Sequence, residues 1–364
     1  MQNAIENKYS SAYLPQTGID TLLNDPHWGK RLKGKRVGLL ANQSSLTSQF
    51  VESAYALYDL LGQDLSCFFA AEHGWSSFCE AGEHIENTKE PLTKLPVFSL
   101  YGPLFKKSLQ SLKEIDVLII DIQDVGVRCY TYAATCAKLL EFASQEQCPL
   151  EIIVCDRPNP LGKWVGGFPF HPETRSLVSY IDVPFQHGKT MGELLQTHNL
   201  TLSNPLRLSI IPCAPFSPYD HVWIPPSPAL PDWDAVLLYP GLVLLEGTNV
   251  SEGRGSTLPF KCVAAPGLDG MKLVKMMNEI PESGIKARFI QFTPQSDKLK
   301  GQPCQGAQLH ILDYKKMDAL KLGIAILEIL SQHYPLFEWV KYEDRYFIDS
   351  LTGSPHFRES LSRG

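Results

Sequence analysis

Four short runs in the first half of the chain are apolar almost without a break: residues 35–42 (KRVGLLAN), 65–72 (LSCFFAAE), 116–124 (DVLIIDIQD) and 151–160 (EIIVCDRPNP). Strict apolar–polar alternation would mark strands with one wet face, whereas short continuous runs mark strands covered on both. Helix-patterned segments stand between them at 49–61, roughly 104–114 and 130–147. Strand–helix alternation predicts an α/β fold with a mostly parallel sheet and right-handed crossovers. Residues 207–212 (RLSIIP) are expected to add a fifth strand.

A proline-rich piece, 212–234, then reads as a boundary or as a rigid loop over a cleft. Beyond it, 235–247 is apolar, 270–280 and 314–333 are helix-patterned, and 286–294 and 306–313 read as strands. The expected organisation is a larger N-terminal α/β domain, 1–215, followed by a smaller α+β domain, 216–364.

Each of the first four strands ends in side chains able to do chemistry. The first ends at Asn42, the second at Glu72 and His73, the third at Asp121 and Asp124 followed by Arg128, and the fourth at Asp156, Arg157 and Asn159. In an open parallel sheet all these ends face one edge, where ligands bind at the topological switch point. One polar strand end is ordinary turn chemistry; four on one edge point to a site.

Composition narrows what that site handles. With a net charge of −6 and no Lys/Arg cluster, a broad nucleic-acid-binding face is excluded. No apolar run reaches the roughly 18 residues of a membrane span. The nine cysteines are scattered without CxxC pairs, and Cys67, Cys129, Cys136 and Cys155 fall in apparent strands or helices as buried free thiols. The N-terminus shows no basic n-region followed by an apolar stretch. As the sequence stands, the expected compartment is the cytoplasm, or the periplasm or exterior if a leader has been removed.

Several chemistries are disfavoured by missing motifs. The turn after the first strand, NQSSLTSQ, lacks the glycines of a dinucleotide fingerprint. HGKT (187–190) has Val183 where a phosphate loop needs its first glycine, and reads instead as a turn and helix start capped by Thr190 or a neighbour. There is no GxSxG elbow and no HExxH. Glu72 and His73 with His84 could bind a metal, but this is disfavoured because adjacent strand residues point to opposite faces. No metal and no cofactor is therefore expected.

Carboxylates remain. Glycoside hydrolysis typically uses one group to protonate the leaving oxygen and another as base, nucleophile or charge stabiliser. Glu72, at the mouth of an apolar strand and flanked by Phe68, Phe69 and Trp75, is in a setting that raises a carboxyl pKa for general-acid work. Glu83 could return to the same place on a loop; composition alone makes it a solvated turn residue. A second constellation is LLEGTNVSEGRGST (244–257), where glycines interleave with Glu246, Thr248, Asn249, Ser251, Glu252 and Arg254. It reads either as backbone held close to a ligand or as a flexible surface loop.

Six stretches carry a resemblance to a known family: AEHGWSSFCEAGE (71–83), DIQDVGVRCYTY (121–132), DRPNPLG (156–162), HGKTMGELL (187–195), WIPPSP (223–228) and LYPGLVLLEGTNVSEGRGSTLPF (238–260). In this order they resemble a bacterial family that includes exo-β-N-acetylmuramidases of peptidoglycan recycling, from about Gly18 to the C-terminus. The resemblance implies a Rossmann-like N-terminal domain, a smaller C-terminal one and an active site in the cleft between them. It implies removal of terminal N-acetylmuramic acid from the non-reducing ends of peptidoglycan fragments.

Carried over by motif, Glu72 is the expected catalytic acid and Glu83 the second catalytic candidate. Asn42, His73, Asp121, Asp124, Arg128, Asp156, Arg157, Asn159, Glu246, Asn249, Glu252 and Arg254 are the expected substrate contacts. The lactyl carboxylate of muramic acid suits an arginine fork, for which Arg128, Arg157 and Arg254 are nominated. The family pattern has His at Gln43, Pro at Ala71, Glu at Gly166 and Asn at Ala229, departures that bear on the sugar contacts. Whether hydrolysis is retaining, inverting or assisted by the substrate's N-acetyl group stays open. So does oligomeric state, and the rival reading is a non-catalytic muropeptide- or sugar-binding protein.

Overall fold

The apolar runs form strands buried almost throughout. The first unit of the chain contains β1 (Val37–Leu40), β2 (Leu65–Ala70), β3 (Thr88–Lys89), β4 (Pro96–Ser99), β5 (Val117–Ile120), β6 (Glu151–Cys155) and β7 (Arg207–Ile211). They make one seven-stranded sheet in the order β3-β4-β2-β1-β5-β6-β7. All neighbours are parallel except β3 and β4. The chain steps from β1 outward through β2 to β4, then returns across β1 to β5, so the order reverses between β1 and β5. That is the switch point of a doubly wound sheet.

The computed structural model describes residues 14–80, 82–214, 219 and 221–361. The leader-free reading of the N-terminus, and part of the proline-rich piece, lie outside them. The chain forms two compact units: the first runs through Gly126 and adds Tyr130–Trp164 and Gly188–Pro228. The second takes Val127–Cys129, Val165–His187 and the chain from Ala229 onward.

In the first unit the helices Ser53–Leu61, Thr131–Gln145 and Met191–Asn199 fall within the expected segments. The last opens with Thr190 and Glu193 in a reciprocal capping box, as HGKT-M-GE suggests. The segment 104–114 does not stay α-helical: Phe105–Leu109 gives way to a 3-10 turn at Gln110–Glu114. The strand β4 escapes sequence reading because it begins with Pro96 and is fully buried only at alternate residues, so it leaves no continuous apolar run. Proline is tolerated there because only the two-residue β3 lies outside it. Under the sheet, Ile19, Leu22, Leu39, Leu57, Phe68, Ile119 and Ile153 belong to one continuous core.

In the second unit the run 235–247 is a helix, Trp233–Leu242, extended by a 3-10 turn, Val243–Gly247. Asp232 caps it by accepting from the Ala235 N–H at 3.0 Å. Because the helix is buried on every side, it carries no apolar stripe, which is why its sequence shows no helical period. An antiparallel sheet follows, β8 (Cys262–Ala265), β9 (Ile285–Phe292) and β10 (Cys304–Ile311), with β10 in the middle. Helices Gly270–Asn278 and Ala319–His333 belong to this α+β part. Among the described residues no helix is long and apolar enough to cross a membrane.

Helices Trp233–Leu242 and Ala319–His333 meet backbone to backbone. A Cβ on Gly241 would overlap the carbonyl oxygen of Ala319, and one on Gly323 would overlap the Gly241 backbone. Gly241→Ala is therefore expected to destabilise the protein by about 1–3 kcal/mol or more through overpacking. Gly166→Ala, where a Cβ meets nothing within 4 Å, should be neutral. Urea denaturation midpoints compare the two directly.

Candidate active site

At the carboxyl end of β2 the backbone turns sharply: His73 and Gly74 both adopt positive φ, 70° and 76°. This turn leaves Glu72 buried, with 8% of its surface exposed, at the strand mouth. Its Oε1 accepts from the Gly82 N–H at 3.1 Å, and its Oε2 accepts from the Thr131 hydroxyl at 2.6 Å. The Tyr101 phenol, just beyond β4, is a further hydrogen-bond partner, and burial pushes its pKa upward, with the Glu72 charge adding to that. The His73 Nδ1–H donates to the Cys79 carbonyl at 2.7 Å, which fixes the loop that carries Gly82. Glu83 rides the same loop in an exposed position and accepts from the Glu80 N–H at 2.9 Å. Thus the loop does return to Glu72, but it delivers a backbone amide to it.

Thr131 and Tyr101 were not expected on the site. Tyr101 follows the strand that the sequence concealed, and Thr131 stands at the first position of a helix, where a threonine looks like ordinary capping chemistry.

The other strand ends form a connected polar layer. Asn42 uses its whole amide: Nδ2 donates to the Tyr132 hydroxyl and the Pro226 carbonyl, each at 3.2 Å, and Oδ1 accepts from Ser44. Tyr132 also donates to Pro226 at 2.6 Å, so the WIPPSP strap is pinned to β1 and the helix behind it. Asp121 is fully buried and paired with Arg157, Nε to Oδ1 at 2.6 Å and Nη2 to Oδ2 at 2.9 Å. Ser53 donates to the same carboxylate, and Arg157 reaches the Leu46 carbonyl at 2.9 Å.

Asp156 accepts from Thr190 Oγ1 at 2.5 Å and the Gly192 N–H at 2.9 Å, closing the start of the Met191–Asn199 helix. Burial nonetheless pushes its pKa upward, those hydrogen bonds offsetting part of the effect. Asn159 bonds the Lys189 carbonyl and the Leu161 N–H, and Asp124 accepts from the Gly126 N–H at 2.7 Å. Among these expected sugar contacts, Asn42, Asp121, Asp156 and Arg157 thus have protein partners that hold the strand ends in register.

In the second unit Arg128 departs from the expected free fork. Its Nη1 donates to the Val183 and Phe168 carbonyls and its Nη2 to that of Thr352, and burial lowers its pKa to about 10. The glycine-rich segment is not a loose loop. Gly253 has φ 96°, and a Cβ there would overlap the Leu258 carbonyl; Gly255 packs the same way on Ser296. The glycines let the chain pack on itself.

That packing gathers three carboxylates around two cations. Arg254 Nε lies 2.8 Å from Glu252 and 3.0 Å from Asp297, and its Nη2 lies 3.3 Å from Glu246. Lys298 meets Glu252 at 2.9 Å and donates to the Leu245 carbonyl at 2.7 Å. Burial pushes Glu246 up to about 7, whereas Lys298 and Arg254 hold Glu252 low against its own burial. Asp297 and Lys298 were not anticipated, because they join the cluster from the loop between β9 and β10, far along the chain. Asn249 stands apart from it, bonding Leu336 and Glu338 backbone. Among the described residues no group of three or more His, Cys, Asp and Glu is arranged to hold a metal.

Two family models match consecutive parts of the chain, "Exo-beta-N-acetylmuramidase NamZ, N-terminal" over residues 37–234 and "Exo-beta-N-acetylmuramidase NamZ, C-terminal" over 237–364. The chain is 35% identical over 368 aligned positions to the peptidoglycan beta-N-acetylmuramidase NamZ of Bacillus subtilis, covering 99% of this chain and 87% of that protein. Two solved structures of DUF1343 family proteins from Bacteroides fragilis are also similar. One has a TM-score of 0.83 at 30% identity, over 97% of this chain and 92% of the other. The second has a TM-score of 0.73 at 27% identity, over 96% and 91%.

The two buried acid clusters make different predictions. Asp121→Ala leaves Arg157 buried without its partner, and should destabilise by about 3–5 kcal/mol in urea titration. For Glu246 the folded pKa is raised, so its contribution to stability is full below about pH 4.5 and is lost as pH rises through about 7. Glu246→Gln mimics the protonated form. Its Tm should match the parent near pH 4.5 and exceed it, relative to the parent, near pH 8.

Proposed function

The chain belongs to the exo-β-N-acetylmuramidase family and is a glycosidase of peptidoglycan, and we propose that it releases terminal N-acetylmuramic acid from non-reducing ends with Glu72 as the reacting carboxylate. The observation that carries this reading is the setting of Glu72. It ends a strand next to the switch point of a parallel sheet, buried yet held on both oxygens by hydrogen-bond donors. Buried carboxylates elsewhere on that edge are engaged in pairing strands or capping helices, as with Asp121 and Asp156.

In the reaction the bond between the anomeric carbon and the leaving oxygen breaks, its electron pair staying with that oxygen, which takes up a proton. Water supplies the new bond to the anomeric carbon and gives up a proton. The transition state has oxocarbenium character, so a carboxylate at the sugar face is worth most when positive charge develops. Glu83, on the loop that bonds Glu72, is the second candidate, and His73 orders that loop.

The test is a chromogenic N-acetylmuramic acid glycoside beside its N-acetylglucosamine analogue. Release from the first and not the second is expected. Glu72→Gln should lower kcat by at least about 10²-fold with KM changed little. Binding of the muramic glycoside without any release would make the protein a sugar-binding module and overturn the reading.

A further inference from the structure

Glu72 is ringed by donors. The Gly82 N–H has no other option than to donate, at 3.1 Å to Oε1. The Thr131 hydroxyl stands 2.6 Å from Oε2, the length of a charge-assisted O–H···O⁻ bond. The Tyr101 phenol is a third partner. An ionised carboxylate only accepts, so donors on both oxygens match the charged form, and a proton on Oε2 would force Thr131 to turn its hydroxyl away. Thr131 is also the first residue of the 15-residue helix Thr131–Gln145, whose positive dipole end favours a negative group nearby. The aromatic surroundings that suggest a proton donor do not enclose the carboxyl in this way: Phe68 lies in the sheet core and packs its ring on Trp75, centroids 4.7 Å apart.

We propose that Thr131 is a positioning residue that keeps Glu72 ionised and oriented, so that Glu72 acts as the negative partner of the charge developing at the anomeric carbon and not as the donor of the leaving-group proton. This rests on Glu72 being the reacting carboxylate. The other titratable groups facing it are Tyr101 from the segment after β4 and Tyr132 from the helix. Both are phenols pushed further up by burial and by the charge on Glu72, and so remain neutral. His73, next in the chain, directs Nδ1–H at the Cys79 carbonyl, and Glu83 on the facing loop takes the Glu80 N–H.

The experiment is the pH profile of kcat/KM on the muramic glycoside for the parent, Thr131→Val, Thr131→Ser, Tyr101→Phe and Glu72→Gln. Removing a donor weakens the form of the carboxyl that accepts on both oxygens. In Thr131→Val the acidic limb should therefore move up by about one pH unit. Thr131→Ser, which keeps the hydroxyl, should return the limb to its parental position, as a purely structural role for the threonine would not require. If Thr131→Val does not fold, Tyr101→Phe gives the same reading, an upward shift of the acidic limb. An unmoved acidic limb in folded Thr131→Val, or in Tyr101→Phe where that variant stands in for it, with Glu72→Gln inactive, overturns the positioning role alone. A shift of the basic limb instead shows that Glu72 works protonated and overturns the proposal. Parental turnover in Glu72→Gln overturns the assignment of Glu72 itself.

Discussion

The carboxyl edge of the first unit's sheet hangs on one buried ion pair. Asp121 ends the strand beside the switch point, has no exposed surface, and must be fully paired to stay charged there. Arg157, at the end of the neighbouring strand, meets it with two nitrogens, and Ser53 from the helix after β1 donates to it as well. Ser45 donates to its backbone carbonyl at 2.5 Å, tying in the loop after β1. One aspartate thus joins the ends of β5 and β6 to the loop and helix that follow β1. Removing it would strand a guanidinium in the interior, a larger loss than the net worth of the pair itself.

With those ends held, the next strand over can present a carboxylate that has a different set of partners. Asp121 meets a cation; among the described residues Glu72 meets neutral donors, an amide and two hydroxyls. A salt bridge would neutralise the group and fix it against a partner that cannot leave. Neutral donors orient the carboxylate and leave its charge available to a ligand. The same contrast separates Glu72 from the second unit's cluster, where Arg254 and Lys298 divide themselves among Glu246, Glu252 and Asp297.

The parallel strands β1, β2, β5 and β6 were legible because strands buried on both faces leave an unbroken apolar signature. Helix Trp233–Leu242 was not legible as a helix for the same reason: an element buried all round loses the period that would identify it. Strand β4 was hidden by its proline and its half-buried, broken pattern, and with it went Tyr101. The residues of the acidic layer could all be named from their places at strand ends. Their division into ion pair, helix cap and free-standing carboxylate could not, because partners lie tens of residues apart, as Asp156 and Thr190 do.

What the sequence determined by itself is the alternation of strand and helix, and hence that Asn42, Glu72, Asp121 and Asp156 all stand at one edge of a parallel sheet. That follows from local patterning and the one-handed crossover, both properties of short stretches of chain. What only the tertiary structure decided is which of these side chains meets a cation, which closes a helix start and which is held by neutral donors. Burial, donor geometry and the sign of neighbouring charge depend on segments remote in the chain, such as Gly82 and Thr131 around Glu72, or Asp297 and Lys298 around Glu252. The chemistry of a carboxylate is set by what surrounds it, and those surroundings exist only once the chain has folded.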